Sequence, residues 1–195
     1  MSAREAILAR VRANRPKGDY VLPDLPRFKL EQSGGLIASF SASLTAMGGK
    51  LIDPSATQDV TQVIRTEFPQ RGVVCSAVPE VAGDRDLGQV HEPRDLADVD
   101  VAVVRAILGV AETGSVLFSE TELKVNTLAY LAQHLVVLLA REAIVPGLQD
   151  AYDHPRFHTA HYAVFHTGPS ATGDIEGVLI HGAQGVRSLT VVLTG

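Results

Sequence analysis

The sequence predicts an α/β fold with three layers, in which a mostly parallel sheet carries helices on both faces. Strand-length apolar segments alternate with segments of helical periodicity along most of the chain. Residues 135–140 carry no charge, which is typical of a strand that is covered on both faces. A tight turn at Glu112–Thr113–Gly114 separates two apolar runs and indicates one antiparallel pair within the sheet.

Residues 1–33 are predicted to form a helix and an extended arm, and residues 34–195 the α/β domain. Apolar and charged residues alternate at helical spacing over residues 2–14, where Ser2 followed by Glu5 fits a capping box. Residues 16–26 are rich in Pro, Gly and Asp, which favours extended backbone. Because the arm has little core of its own, we expect it to lie over the domain or over a partner subunit.

The first half of the domain is predicted to alternate helix and strand. Gly48 and Gly49 end the first helix, and Asp53 and Pro54 punctuate the chain before the second. The polar stretch at residues 79–100 has the least regular pattern. The predicted elements are a helix at residues 35–46, a strand at 50–52, a helix at 57–68 and a strand at 72–76.

The second half is predicted to continue this alternation around the antiparallel pair. The expected strands lie at residues 101–104, 108–111, 115–118, 135–140, 162–165 and 189–193, and the expected helices at about 123–130, 144–152 and 172–180. Open α/β sheets bind ligands at the carboxyl ends of their strands. We therefore expect the turns after residue 52, at Glu112 and at residues 168–170 to converge on one site.

Composition limits the function classes. The 195 residues suit one domain with a real core, and the net charge of -5 argues against non-specific nucleic-acid binding. Cys75 is the sole cysteine, so these residues form no disulfide and hold no cysteine-ligated iron–sulfur cluster by themselves. We expect Cys75 to be a buried strand residue. No signal peptide or membrane-spanning run is visible, which predicts a cytoplasmic protein.

Two turns carry the main candidate site residues. Gly168 and Pro169 follow an apolar strand, and the hydroxyls of Ser170 and Thr172 stand where the N-cap of the predicted helix would be. Free amides at such a helix start attract anions, although the same residues could serve for capping alone. Glu112, at a strand end before Thr113 and Gly114, is either a base or nucleophile or an exposed hairpin residue.

Other polar residues leave more than one interpretation open. Arg187, just before the last strand, could pair with a ligand carboxylate or phosphate, or form a surface salt bridge. Five histidines lie close together in sequence: His154, His158, His161, His166 and His181. They are either unliganded surface side chains or the basis of a zinc site, which Pro155 disfavours. As a single pH-sensitive or catalytic histidine, His166 is the best placed.

Three segments taken together resemble the LUD domain family, and within it the lactate utilization proteins of type C. They are residues 111–118 (Ala-Glu-Thr-Gly-Ser-Val-Leu-Phe), residues 167–176 (Thr-Gly-Pro-Ser-Ala-Thr-Gly-Asp-Ile-Glu) and residues 182–193. The resemblance covers roughly residues 34–195. Glu112, Thr113 and Gly114 match the first family motif, and Gly168, Ser170 and Thr172 belong to the second. Departures lie at Gly173, where the family usually has Ala, at residues 183–186 and at Thr190.

The resemblance implies the fold of the sugar-phosphate isomerase and CoA-transferase superfamily. It also implies a role in oxidising L-lactate to pyruvate, alongside partner proteins that carry iron–sulfur clusters. We expect Thr113, Gly114, Gly168, Ser170, Thr172 and Arg187 to hold a small anionic ligand, with Glu112 as base or orienting group, with no metal and with no cofactor bound by this chain alone. The alternative is a non-catalytic subunit or ligand sensor that docks on partner proteins. A homo-oligomer is compatible with either function.

Overall fold

Eleven strands and seven α-helices make up the part of the chain that the structure describes, namely residues 2–18, 20–21, 23–28, 34–54, 59–175 and 177–195 of a computed structural model. The strands are β1 (Lys50–Ile52), β2 (Val73–Ser76), β3 (Val99–Arg105), β4 (Leu108–Val110), β5 (Ser115–Ser119), β6 (His134–Ala140), β7 (Ile144–Val145), β8 (Ala163–His166), β9 (Ala171–Ile175), β10 (Val178–His181) and β11 (Ser188–Thr194). The helices are α1 (Ala3–Ala13), α2 (Leu36–Ala46), α3 (Val60–Glu67), α4 (Glu120–Leu123), α5 (Leu128–Leu131), α6 (Leu148–Tyr152) and α7 (Pro155–Thr159).

The central sheet has five parallel strands in the order β1-β11-β6-β3-β2, which confirms the predicted α/β class. Side chains of these strands alternate between two apolar clusters, one on each face. Val101, Val103 and Val136 pack with α3 on one face, whereas Ala102 and Leu135 belong to the cluster of α2, α4 and α5 on the other. Burial of each of these Val and Leu side chains contributes about 1.5–3 kcal/mol to folding. The three-layer arrangement is thus present, with strands covered on both sides.

A second, mixed sheet has the order β7-β4-β5-β8 and lies on the α2 side of the central sheet. It contains the antiparallel pair predicted around Glu112–Gly114, with Val110 opposite Ser115. A Cβ atom on Gly109 of β4 would lie 2.7 Å from a methyl of Leu139 and 3.1 Å from the ring of Phe40. The glycine therefore lets the small sheet pack closely against α2 and the central strand β6. The sequence indicated only one antiparallel pair of this sheet.

Many local predictions are confirmed. Helix α2 and strand β1 occupy the expected residues, and Cys75 is a fully buried residue of β2. The Ser2–Glu5 capping box begins α1. Residues 57 and 58 of the predicted second helix lie outside the described residues, and the described helix there is Val60–Glu67. None of the helices in the described part of the chain is both long and apolar enough to cross a membrane.

The predicted helix at residues 172–180 is wrong. Strands β9 and β10 form a two-stranded antiparallel ribbon there, with Ile175 paired to Val178 and Ala171 to His181. Gly168, Gly173, Gly177 and Gly182 lie in or beside this segment, and each glycine in a helix interior costs about 1 kcal/mol relative to alanine. That cost outweighs the capping contribution of Ser170 and Thr172, which suggested a helix start.

Two further predicted helices are each interrupted. The helix expected at residues 123–130 is divided into α4 and α5 by Lys124, whose φ of 61° is incompatible with a continuing right-handed helix. The helix expected at residues 144–152 begins as strand β7 and becomes helical only at Leu148. Pro146 and Gly147 lie at that junction, and a proline inside a helix would clash with the preceding turn.

Candidate functional site

The two motif turns meet at the carboxyl-terminal half of α2. Gly114 and Gly168 both have a φ of +68°, and each faces helix backbone. A Cβ atom on Gly114 would overlap the backbone of Leu44, and one on Gly168 would overlap the carbonyl oxygen of Met47. The hydroxyl of Ser43 donates to the carbonyl oxygens of Ala111 at 2.9 Å and Glu112 at 3.2 Å. Both glycines are therefore required by close packing against one helix.

A buried hydroxyl links the two motifs directly. Ser115 is only 4% exposed, and its Oγ lies 2.7 Å from Oγ1 of Thr113. The same Oγ is hydrogen-bonded to Oγ1 of Thr167, which is 52 residues away in sequence. Each of these two hydrogen bonds contributes about 1 kcal/mol to stability, and together they hold the two turns next to each other. The sequence analysis did not identify Ser115 as the link, although it directly follows the Glu-Thr-Gly motif.

The second motif lines a cavity of about 300 Å³ that we call the His166 cavity. Tyr130, His166, Thr167, Ser170 and Gln184 supply its polar side chains. The backbone holds Ser170 in place, because its N–H donates to Val186 at 2.9 Å and its carbonyl accepts from Gly182 at 2.7 Å. The remaining lining residues are Ala129, Val164, Phe165, Gly168, Pro169, Gly185 and Val186. The cavity thus combines an apolar wall with a few fixed polar groups, as is typical of small-molecule sites.

His166 is the chemically unusual residue of this cavity. Its Nε2 atom is buried and has no hydrogen-bond partner among the described residues. The ring packs against Phe118 and Tyr130, with centroid separations of 5.6 and 5.0 Å. Burial lowers the pKa of His166 to about 4, because the charged imidazolium is poorly solvated there. At neutral pH the ring is uncharged, so one ring nitrogen is a hydrogen-bond donor and the other an acceptor.

A pair of tyrosines forms a second polar feature beside His166. The hydroxyls of Tyr130 and Tyr162 are hydrogen-bonded to each other. Burial and this hydrogen bond raise the pKa of Tyr130 well above its ordinary value, so the phenol stays protonated. Sequence reasoning missed both tyrosines, because they lie 32 residues apart and carry no recognisable motif spacing.

The His166 cavity does not lie where we expected a ligand site. Gln184, Gly185 and Val186 directly precede β11, and Tyr130 precedes β6. These residues are therefore at the amino ends of parallel strands, whereas open α/β sheets usually bind ligands at the carboxyl ends. The difference arises because strands β9 and β10 form a ribbon that returns the chain to the start of β11, in place of the crossover helix predicted at residues 172–180.

Glu112 lines a different cavity, of about 120 Å³, beside the start of α6. Its Oε2 accepts the N–H of Leu148 at 2.9 Å and so caps that helix. Arg27 and Phe28 of the arm also line this cavity. No described residue lines both cavities, so the expected single cavity shared by Glu112 and Ser170 is not present in the described part of the chain.

Thr172 and Arg187 lie outside both cavities. Thr172 belongs to β9, and its hydroxyl accepts the N–H of Asp174 at 3.4 Å. Arg187 is exposed, and its backbone N–H donates to Gln133 at 2.7 Å. The structure places no helix N-terminus at Ser170, so the anion-binding arrangement expected there is absent from the described residues. Of the expected ligand contacts, Gly168 and Ser170 line the His166 cavity. Thr113 does not line it but is hydrogen-bonded through Ser115 to the lining residue Thr167, and Gly114 packs against α2.

The histidines do not gather into a metal site. Across the described ranges, no group of three or more His, Cys, Asp and Glu side chains is arranged to hold a metal ion. His154 instead caps α7, because its Nδ1 accepts the N–H of Arg156 at 3.2 Å, and Pro155 occupies the first position of that helix. The zinc interpretation therefore has no geometric support here.

Comparisons with known proteins agree with the sequence motifs. The LUD domain profile matches residues 92–194, which is more than half of the chain. "Lactate utilization protein C" from Geobacillus sp. (strain WCH70) is 25% identical over 140 residues, covering 69% of this chain and 56% of that protein. The chain thus matches little more than half of that relative's length. A DUF162 family protein from Deinococcus radiodurans has a similar fold, with a TM-score of 0.62, 13% identity, and coverage of 82% of this chain and 96% of that one.

We predict that Gly114→Ala and Gly168→Ala each destabilise the protein by about 2–4 kcal/mol, because both add left-handed strain and overlap α2 backbone. Gly173→Ala is the matched control, since nothing lies within 4 Å of its added Cβ, and its cost is within about 0.5 kcal/mol. Urea unfolding monitored by circular dichroism measures all three. Equal stability of the three variants would contradict the packing described for the motif turns.

We also predict that His166 makes the protein sensitive to acid. The unfolded state, with a histidine pKa near 6.5, takes up a proton before the folded state, whose His166 pKa is about 4. This contribution to stability is complete above pH 6.5 and decreases as the pH falls towards 4, by about 2 kcal/mol between pH 7 and 5.

His166→Phe removes that loss, so its free energy of unfolding falls less than that of the wild type over the same pH interval. Urea denaturation at pH 7 and pH 5 provides the comparison, with His161→Gln, an exposed histidine nearby, as control. Parallel losses in wild type and His166→Phe would show that His166 is not buried as described.

Proposed function

Because the chain belongs to the LUD domain family, we propose that it acts in the utilization of lactate or a related organic acid and binds that small acid in the His166 cavity. The observation that carries this proposal is His166, which lines the cavity and whose buried Nε2 lacks a protein partner within the described residues. A buried polar atom without a hydrogen-bond partner lowers the folding stability by about 1–3 kcal/mol. A hydrogen bond from a bound ligand would offset this cost. The name of the similar Geobacillus protein, lactate utilization protein C, supports lactate as the acid.

In this proposal the cavity recognises a short carboxylic acid with a second oxygen beside the carboxylate. Ser170, Gln184, His166 and Tyr130 line the cavity and can supply hydrogen-bond donors to such an acid. Ala129, Val164 and Val186 provide an apolar wall for a methyl group. L-Lactate and pyruvate both have this combination of a carboxylate, an oxygen on the neighbouring carbon and a methyl group.

His166 would take up a proton when the acid binds. Next to a carboxylate the imidazolium is stabilised, so the His166 pKa rises from its value of about 4 in the free protein. Glu112 would not contact this ligand, because its carboxylate lines the separate cavity and caps α6. Its role in the proposal is to orient that helix.

Oxidation of L-lactate to pyruvate releases two electrons and two protons, and we propose that iron–sulfur partner proteins accept the electrons. The single cysteine, Cys75, is fully buried in β2, so these residues offer no cysteine set for a cluster of their own. The chain would then contribute the acid-binding site and a protonated His166 beside the carboxylate, while the two electrons pass to the partner proteins and the two protons to solvent.

A second candidate is a ligand-binding subunit or sensor without chemistry of its own. The observation that favours it is the composition of the cavity wall. Among the described lining residues, histidine at position 166 is the one residue type whose unperturbed pKa is near neutral, so the cavity offers few groups for acid–base chemistry. Turnover of lactate by the chain together with its iron–sulfur partners, abolished by His166→Gln while acid binding persists, would favour the catalytic function over the sensor.

We predict that L-lactate and pyruvate raise the melting temperature of the protein more strongly at pH 5.5 than at pH 7.5, because binding takes up a proton. Where the pH lies between the free and bound pKa of His166, affinity falls by up to about tenfold per pH unit as the pH rises. His166→Gln removes this pH dependence, and Ser170→Ala weakens binding by about tenfold. Thermal shift followed by isothermal titration calorimetry measures both effects.

His161→Gln is the matched control, since this exposed histidine lies outside the cavity lining. It should bind both acids as the wild type does at each pH. The proposal fails if neither acid shifts the melting temperature at any pH, or if His161→Gln and His166→Gln alter binding equally.

A further inference from the structure

Exposed apolar side chains are concentrated in one short part of the chain, residues 2–28, which we call the N-terminal segment. Six of the ten large hydrophobic side chains that are exposed in the described structure lie there, and they are 62–88% exposed. The six are Ile7, Val11, Tyr20, Val21, Leu25 and Phe28. Scattered exposed apolar residues need no explanation, but such a concentration marks an interaction surface.

Helix α1 needs contacts that its own chain does not supply. None of its residues is buried. The helix is stabilised locally by a capping box at its start, in which Ser2 Oγ accepts the N–H of Glu5 at 3.3 Å. An isolated helix shorter than about 12–15 residues is only marginally stable in water, and α1 has 11 residues. Ile7 and Val11 are four residues apart and therefore share one helix face.

The segment has the opposite charge to the rest of the chain. Residues 2–28 contain six basic and three acidic side chains, which gives a net charge of +3. Since the whole chain has 17 basic and 22 acidic residues and a net charge of -5, the remainder carries -8. A second copy of this chain therefore offers the basic helix a strongly acidic body, and opposite charges favour their encounter.

Among the described residues, side-chain hydrogen bonds and ion pairs join the segment to its own domain at one place only, helix α6 and the residue that follows it. The side-chain amide of Gln149 donates to the carbonyl of Pro26 at 3.0 Å and accepts from the N–H of Phe28 at 3.1 Å. Arg27, between them, forms ion pairs with Asp150 and Asp153. This attachment at α6 fixes where the arm leaves the domain and leaves the basic helix in front of it uncovered.

We propose that the N-terminal segment is a dimerisation arm, and that its basic helix and exposed apolar residues dock on the body of a second copy of this chain. Two copies related by a twofold axis would each give and receive one arm, which closes the assembly. Covering the six apolar side chains would remove on the order of 600 Å² per copy from water, and twice that reaches the range of stable interfaces. This association goes beyond the acid-binding function and does not depend on it.

Sedimentation velocity of the full chain tests this proposal, with protein from about 5 to 100 μM in low and high salt. A dimer is expected at the higher concentrations, with weaker association in high salt. Ile7→Ser with Val11→Ser, and separately Arg10→Glu with Arg12→Glu, should each raise the dimer dissociation constant at least about tenfold. Melting temperatures measured at concentrations where the chain is monomeric should be unchanged in these variants, because α1 has no buried residue within its own chain.

Arg65→Glu with Arg187→Glu is the matched control, because it reverses two exposed charges outside the segment and makes the body more acidic. This control should keep or strengthen the dimer. A wild-type chain that is monomeric at every concentration would overturn the proposal, as would a dimer that both helix variants leave intact. Either result would leave lactate binding unaffected, so the two proposals fail independently.

Discussion

The close approach of helix α2 to two turns of the small sheet is the constraint on which the site depends. Gly114 and Gly168 have no room for a side chain because the backbone of Leu44 and Met47 occupies that space. This contact brings together two motifs that are more than 50 residues apart, and the Ser115 hydroxyl then joins Thr113 to Thr167. The position of His166, one residue before Thr167, follows from that junction. The motif glycines of this chain thus serve close packing, and the position of the cavity follows from that packing.

The sequence predicted the layers of the fold because hydrophobic periodicity reports burial directly. Residues 135–140 are apolar on both faces since clusters of side chains cover both sides of β6. Predictions failed where local signals competed. At residues 172–180 the Ser and Thr capping signals were given more weight than the surrounding glycines. At residues 144–152 helical periodicity continued across Pro146 and Gly147, although those residues separate a strand from a helix.

The candidate site was predictable only in part, because a sequence motif does not state what its residues touch. Gly168 and Ser170 line the cavity, and His166 was recognised as the best-placed histidine. Tyr130 and Tyr162 could not be found, since only the packing of α5 against the small sheet brings their hydroxyls together. Glu112 shows what geometry adds. A carboxylate before a glycine at a strand end left a base or nucleophile and an exposed hairpin residue both open, and the structure adds the role of a helix cap.

The β9–β10 ribbon is joined at its base to the wall of the His166 cavity. At the base of the ribbon, the carbonyl oxygen of Ser170 accepts the N–H of Gly182, and the N–H of Ser170 donates to the carbonyl oxygen of Val186. Val178 and Leu179, at the far end, are exposed. Ser170 and Val186 both line the cavity, so the base of the ribbon and part of the cavity wall share one backbone hydrogen bond. A displacement of the ribbon base would therefore also displace the cavity wall at Ser170.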